Sequence, residues 1–368
     1  MFRALVRMSE NAAKRLKTES GVRIGTHNGH FHADEALAVY MLRQLPTYAG
    51  ASLVRTRDPA QLAECHTVVD VGGEYDASRN RYDHHQRTFD TTFPGRPTKL
   101  SSAGLVYLHF GRALVAQELG QPEDSEDVGM LWNKVYESFV EAMDAHDNGI
   151  SSVDPDALKA AGLEKRFSSG GFTLGAMVSR LNPAWNDPMP ADPAEAQAAE
   201  DARFESASAR IGEEFSRGLN FYTKAWLPAR AIVKAAYDKR LEYDSEGRIM
   251  VLDAQSVPWK EHLYALEEQD AAAAGVEGDD SKGKILYVLY REKPVPDAKW
   301  RIQAVPVTDT SFQSRKALPE PWRGARDEEL DKVAGVSPGG VFVHMSGFIG
   351  GHKTFEGAME MAVKACAF

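Results

Sequence analysis

From Gly21 onward, short apolar runs alternate with stretches of helical periodicity. Residues 22–26 predict a strand, 34–45 a helix, and 52–56 a second strand; a helix starts at Pro59, and 67–71 read as a buried strand that ends at Asp70 before Gly72 and Gly73. Strands alternating with helices favour a parallel, helix-covered sheet, in which polar residues at the carboxyl ends of strands converge on a ligand crevice. Helical patterns then dominate over 101–119, 126–144 and an Ala/Glu-rich run over 193–217 that reads as a connector. Pro183, Pro188, Pro190 and Pro193 mark a boundary before that run. After Trp226 the pattern turns β-rich, with strands predicted at 248–253, 285–291, 300–307 and 341–345, and 271–284 read as an exposed acidic loop.

The 368 residues suit about two domains at roughly 150 residues each. The expectation is an α/β protein: a parallel-sheet domain over 21–192, a connector over 193–225, and a smaller mixed-sheet domain over 226–368, with the active-site cleft between the domains. No stretch reaches the roughly 18 consecutive apolar residues of a membrane helix. Residues 1–20 carry Arg3, Arg7, Lys14, Arg15 and Lys17, the pattern of a mitochondrial presequence or, at 14–17, a short nuclear signal, and a start at Met8 would shorten it.

Charge and cysteine usage narrow the chemistry. With 53 acidic against 43 basic residues the net charge is −10, which disfavours broad, nonspecific nucleic-acid affinity and leaves room only for a local basic groove. An acidic protein acting on phosphate esters is expected to bind divalent cations first and let them receive the substrate's charge. Cys65 and Cys366 are too few and too far apart for a thiolate site, so a metal would use histidine and carboxylate.

Four segments supply such donors. Residues 25–35 read GTHNGHFHADE and place His27, His30, His32, Asp34 and Glu35 between a strand and a helix. Asp70 ends an apolar strand, Asp83, His84 and His85 follow Tyr82, and Asp144 opens a run through His146, Asp147 and Gly149. Mixed imidazole and carboxylate ligands suit manganese, iron, cobalt or zinc, and in a two-ion site Asp70 is the natural bridge.

The Asp83-His84-His85 triplet, with His30 and Asp34 upstream and Asp70 and Asp144 at element ends, resembles the DHH phosphoesterase superfamily. More narrowly, these segments and the run 347–353, GFIGGHK, resemble the melanocyte-proliferating-gene exonuclease family. The resemblance implies a 3′ to 5′ exonuclease in mitochondria or nucleus, acting on single-stranded RNA with two manganese ions, or with magnesium or cobalt. It implies His30, Asp34, Asp70, His84 and Asp144 as metal ligands. The second carboxylate common in the superfamily falls on Ala36, so Glu35, His27 or His32 would complete the set. His85 would meet the phosphate, Asp83 would hold a neighbouring imidazole, and Gly350, Gly351, His352 and Lys353 would approach substrate. Arg180 and Arg301 are further candidates for gripping phosphate, with Trp300 available to stack on a base. A small-molecule phosphoesterase acting on pyrophosphate or dinucleotides, and a noncatalytic metal-binding module, remain open beside this reading.

Overall fold

A computed structural model of the chain describes residues 21–275 and 284–368, so the basic segment 1–20 lies outside the described residues. The chain divides into two compact units, Met1–Thr223 and Lys224–Phe368.

The first unit is built on five strands: β1 (Arg23–Thr26), β2 (Ser52–Arg55), β3 (Thr67–Val69), β4 (Tyr75–Asp76) and β5 (Arg81–Tyr82). Their order is β2-β1-β3-β5-β4, all pairings parallel except that of the edge strand β4. Ile24, Val68 and Val69 are buried, as expected of strands covered on both faces. Around them lie helices α1 (Ala33–Arg43), α2 (Pro59–Ala63), α3 (Ser102–Leu119), α4 (Glu126–Val135), α5 (Glu141–Asp147), α6 (Leu174–Ser179) and α7 (Pro193–Phe221). The single helix expected over 126–144 is interrupted by a π-turn at Tyr136–Val140, which re-aims everything after it.

Helix α7 is not a free connector. Asp192 caps it through Ala194 and Glu195, and Phe204, Ala207, Ile211, Phe215 and Leu219 form a buried stripe at helical spacing. It packs on α1, where Ser208 Oγ donates to the Ala36 carbonyl at 2.8 Å and Tyr40 bonds Ser216 at 2.9 Å. A Cβ at Gly212 would lie 2.0 Å from the Tyr40 ring, so glycine is what lets the helices cross this closely. Burying the large side chains of the stripe stabilises the contact by about 1.5–3 kcal/mol each.

The second unit holds β6 (Ile249–Leu252), β7 (Tyr287–Arg291), β8 (Trp300–Ala304), β9 (Gly340–Val343) and β10 (Ile349–His352) in the order β6-β7-β8-β10-β9. Only β6 and β7 pair in parallel. One core joins Met250, Leu252 and Val288 to helices α8 (Leu227–Asp238) and α9 (Lys260–Ala274), and the other joins Tyr287, Trp300 and Ile302 to Trp322, α10 (Asp327–Ala334) and α11 (Phe355–Ala367). Two expectations fail here. Helix α8 follows Trp226 where a β-rich pattern was predicted; its Ala229, Val233, Ala236 and Tyr237 recur at helical spacing and are buried. Residues 271–274 finish α9 rather than forming a loop, and 276–283 lie outside the described residues.

Candidate metal centre

Strands β1, β3 and β5 of the first unit release their chains toward one place. β1 passes into the loop 27–32 that leads to α1, β3 ends at Asp70, and β5 runs into Asp83, His84 and His85. These are the carboxyl ends of parallel strands, where ligands bind in open α/β sheets.

Asp70 adopts φ 57°, a left-handed conformation that costs a non-glycine residue about 1–2 kcal/mol. Such strain persists where the surroundings over-determine it. Here the Asp70 amide donates to the Tyr82 carbonyl at 3.1 Å, and Ser102 Oγ, 3.1 Å from Oδ1, also reaches that carbonyl at 3.0 Å. The carboxylate is thereby presented to two imidazoles: Oδ2 lies 3.3 Å from His27 Nε2 and Oδ1 lies 3.3 Å from His84 Nε2.

Each imidazole also meets a second acid. His27 Nε2 is 3.2 Å from Glu35 Oε1, and His84 Nε2 is 3.1 Å from Asp147 Oδ2. Burial works against the Asp70 charge, yet His27 and His84 hold its carboxyl well below the usual range. Burial also opposes charging His27, but Asp70 and Glu35 outweigh it and push the ring up to about 10. Asp34 is pushed well up by burial, then by Asp70, Asp147 and Glu35.

Three donor sets emerge among the described residues: His27, His32, Glu35 and Asp70; Asp70, His84 and His85; and Asp34, His84 and Asp147. Within each, the donor atoms lie inside 4.8 Å of one another. Divalent cations fit them on two grounds. Asp34 Oδ1, Glu35 Oε2 and both ring nitrogens of His84 are buried without an aligned hydrogen bond, and such groups are rarely left unpaired. His27 Nδ1 lies 3.1 Å from the Asn28 carbonyl, which leaves Nε2 to face two carboxylate oxygens, an arrangement that requires a proton or a metal between them.

The geometry moves two expected ligands. Asp144 Oδ1 accepts from Ser101 N at 2.9 Å and Ser101 Oγ at 2.7 Å, and Oδ2 accepts from Tyr136 OH at 2.9 Å. Burial pushes this carboxyl up to about 7 against those hydrogen bonds. A Cβ at Gly104 would lie 2.3 Å from Asp144, so glycine makes room for a carboxylate that ties α5 to the start of α3. The acid that reaches His84 is Asp147, one helical turn later. Likewise His30 is exposed and joins no donor set, and its neighbours His27 and His32 take that place.

Asp83 holds His85: Oδ1 meets Nδ1 at 2.7 Å, while Oδ2 accepts from Gly73 N at 2.6 Å. His85 lines a cavity of about 540 Å³ together with Asp34, Asp70, His84, Lys99 and Asp147. His30 and His32 also line it.

The loop 27–32 is gripped from outside by residues that the sequence did not single out. Arg55, with no exposed side-chain surface, donates to the Gly29 carbonyl at 2.7 Å and lies over the rings of Phe31 and Phe204. Glu200 accepts from Gly29 N at 3.0 Å, and Asn182 bonds both the N–H and the carbonyl of Phe31. A charged residue at the end of a predicted strand was the available signal for Arg55.

In the second unit the Gly-Gly-His run has a different occupation. His352 is fully buried, its Nε2 is 3.0 Å from the Ser337 carbonyl, and its Nδ1 accepts from Thr354 N at 3.0 Å, so neither ring nitrogen is left for substrate. Gly350 and Gly351 lie in the middle of the sheet, where a Cβ at Gly351 would come 2.5 Å from Arg301 Nη1. Arg301 pairs with Glu292 at 2.9 Å and lies over Phe342, and its buried Nη1 has no hydrogen bond. Trp300 is buried in the core and cannot stack on a base. Lys353 is exposed, and Arg180 donates to the Gly171 carbonyl at 3.1 Å.

A family model described as "Uncharacterised protein family (UPF0160)" matches residues 23–366. The "MYG1 exonuclease" of Homo sapiens is 51% identical over 354 residues, covering 95% of this chain and 86% of that protein. The "MYG1 protein" of Dictyostelium discoideum is 39% identical and covers 94% and 96%. A solved structure of RecJ with Mn2+ from Thermus thermophilus aligns with a TM-score of 0.23 at 17% identity, over 97% of this chain and 54% of that one. On the extent of the family model and the identity to these relatives, the chain belongs to the MYG1 exonuclease family.

Proposed function

We propose that this chain is a divalent-metal-dependent phosphodiester hydrolase that trims single-stranded RNA from its 3′ end. The observation that carries the reading is Asp70, whose two oxygens each face a different imidazole, the layout of a carboxylate shared between two ions. His27, Glu35 and Asp70 would hold one ion, with His32 in reach, and Asp34, His84 and Asp147 the other, with Asp70 facing both His27 and His84. Manganese suits this mixture of imidazole and carboxylate. Bound there, the ions would supply Lewis acidity, acidifying water and drawing charge from the phosphoryl oxygens.

The chain's own residues do the rest. Asp83 fixes the His85 ring through Nδ1, which leaves Nε2 for a phosphoryl or leaving oxygen in the cavity. Lys99, which also lines the cavity, would offer a cation to the phosphate. A cavity of about 540 Å³ falls within the roughly 300–1,000 Å³ of small-ligand sites. The relatives named exonucleases support polymer trimming over small-molecule hydrolysis.

Incubating the protein and manganese with a 5′-labelled RNA of about twenty nucleotides, and separately with pyrophosphate and a dinucleotide, tests the reading. A ladder shortening from the 3′ end is expected. Hydrolysis of the small substrates with the RNA left intact would overturn it.

A further inference from the structure

The segment that contributes Gly175 and Ser179 to the metal cavity carries large rings that stand uncovered among the described residues. Phe172 and Trp185 are each 97% exposed. They bracket α6, whose Gly175 and Ser179 line the cavity.

Both rings sit on tethered backbone. Before α6, Thr173 caps the helix through Ala176, and Arg180 clips the turn at Gly171. After it, Asn182 is bonded to the backbone of Phe31 beside His30 and His32, and Asp187 accepts from Ala184 N to turn the chain around Trp185. Arg203 of α7 meets Asp187 at 3.4 Å and fastens that turn.

The local charge departs from that of the whole molecule. Residues 154–187, the stretch that holds both rings, carry Lys159, Lys165, Arg166 and Arg180 against Asp154, Asp156, Glu164 and Asp187, so it is neutral in a chain of net charge −10. Uncovered aromatic surface interleaved with cations, continuous with a phosphodiester site, is what a single strand requires: every base has a face to stack, and every linkage carries a charge.

Resting on the proposed exonuclease reading, we infer that Phe172 and Trp185 form a sequence-tolerant stacking track for the bases of single-stranded RNA entering the metal cavity. Phosphate contact falls to Lys165 and Arg166 along the same segment. The rings grip bases and leave the choice of sequence open, because stacking reads no hydrogen-bond pattern.

The test is equilibrium binding of the full-length protein, with calcium ions present, to a fluorescein-labelled oligouridylate and to an oligomer of the same length lacking bases. Wild type is expected to prefer the base-bearing strand, and its tryptophan emission to fall on binding. Phe172→Ala and Trp185→Ala should each weaken binding about tenfold, and the double variant should lose the preference for bases. Trp185→Phe should keep the affinity and lose the emission change. Phe312→Ala, an exposed ring in the second unit, should change nothing.

Equal affinity of wild type and double variant would overturn the track while leaving the exonuclease reading standing if RNA is still shortened. Ring-dependent binding without any hydrolysis would uphold the track and overturn the activity. Light scattering that shows a dimer in wild type and a monomer in Trp185→Ala would assign the rings to a second copy of this chain and overturn the proposal.

Discussion

His84 in the first unit lies just past β5 and His352 in the second ends β10; both are buried, and both belong to the segments that resemble the exonuclease family. They differ in what their nitrogens meet. His352 has a partner for each nitrogen, the Ser337 carbonyl and the Thr354 amide. His84 has none in hydrogen-bond alignment and instead faces Asp70 and Asp147 at 3.3 and 3.1 Å. Burial alone therefore does not distinguish a site from a structural plug. An unsatisfied donor set does, because a buried polar atom without a partner costs about 1–3 kcal/mol unless a ligand completes it.

The sharpest way to break this contrast is Asp70→Asn. Removing groups that merely support a metal ligand costs about 10–100-fold in affinity or activity, so losing the shared ligand should leave less than about 1% of wild-type manganese-dependent hydrolysis. A steady-state assay after metal repletion checks this. Next comes the pair at the end of α5. Asp147→Asn should weaken manganese binding by more than about tenfold in a titration. Asp144→Asn should weaken it less while lowering unfolding stability by about 1–3 kcal/mol, since Ser101 and Tyr136 lose a charged acceptor.

Arg55→Ala should cost about tenfold in manganese affinity by freeing the loop 27–32 from its anchor at Gly29. The smallest effect on metal belongs to His352→Ala, which should leave the titration unchanged. It should instead destabilise the second unit by about 2–4 kcal/mol in urea unfolding. Gly357→Ala, whose Cβ would fall 2.0 Å from the His352 ring, should destabilise the same unit by about 1–3 kcal/mol.

The parallel strands and the gathering of Asp34, Asp70 and His84 were legible because period and motif report on local backbone and on strand ends. The identity of the acid on α5 was not. A π-turn at Tyr136–Val140 rotates the helix that follows, and no residue in that stretch announces it the way proline announces a kink. His27, His30 and His32 could not be ranked from spacing, because their directions depend on a loop held by Arg55, Glu200 and Asn182 from distant parts of the chain. Helix α7 read as a connector because its alanines dilute the Phe204, Ile211 and Phe215 stripe that buries it. The buried role of His352 depends on Ser337 and on space left at Gly339 and Gly357, contacts a local motif does not encode.

Each Asp70 oxygen faces a different imidazole, as a carboxylate shared between two ions would. Electron paramagnetic resonance of the intact protein titrated with manganese tests that sharing most directly. Two ions per chain are expected, with a spin-coupled spectrum that collapses to the signal of isolated ions in Asp70→Asn. Retention of no ion, or of ions whose spectrum is the same with and without the Asp70 carboxylate, would contradict it.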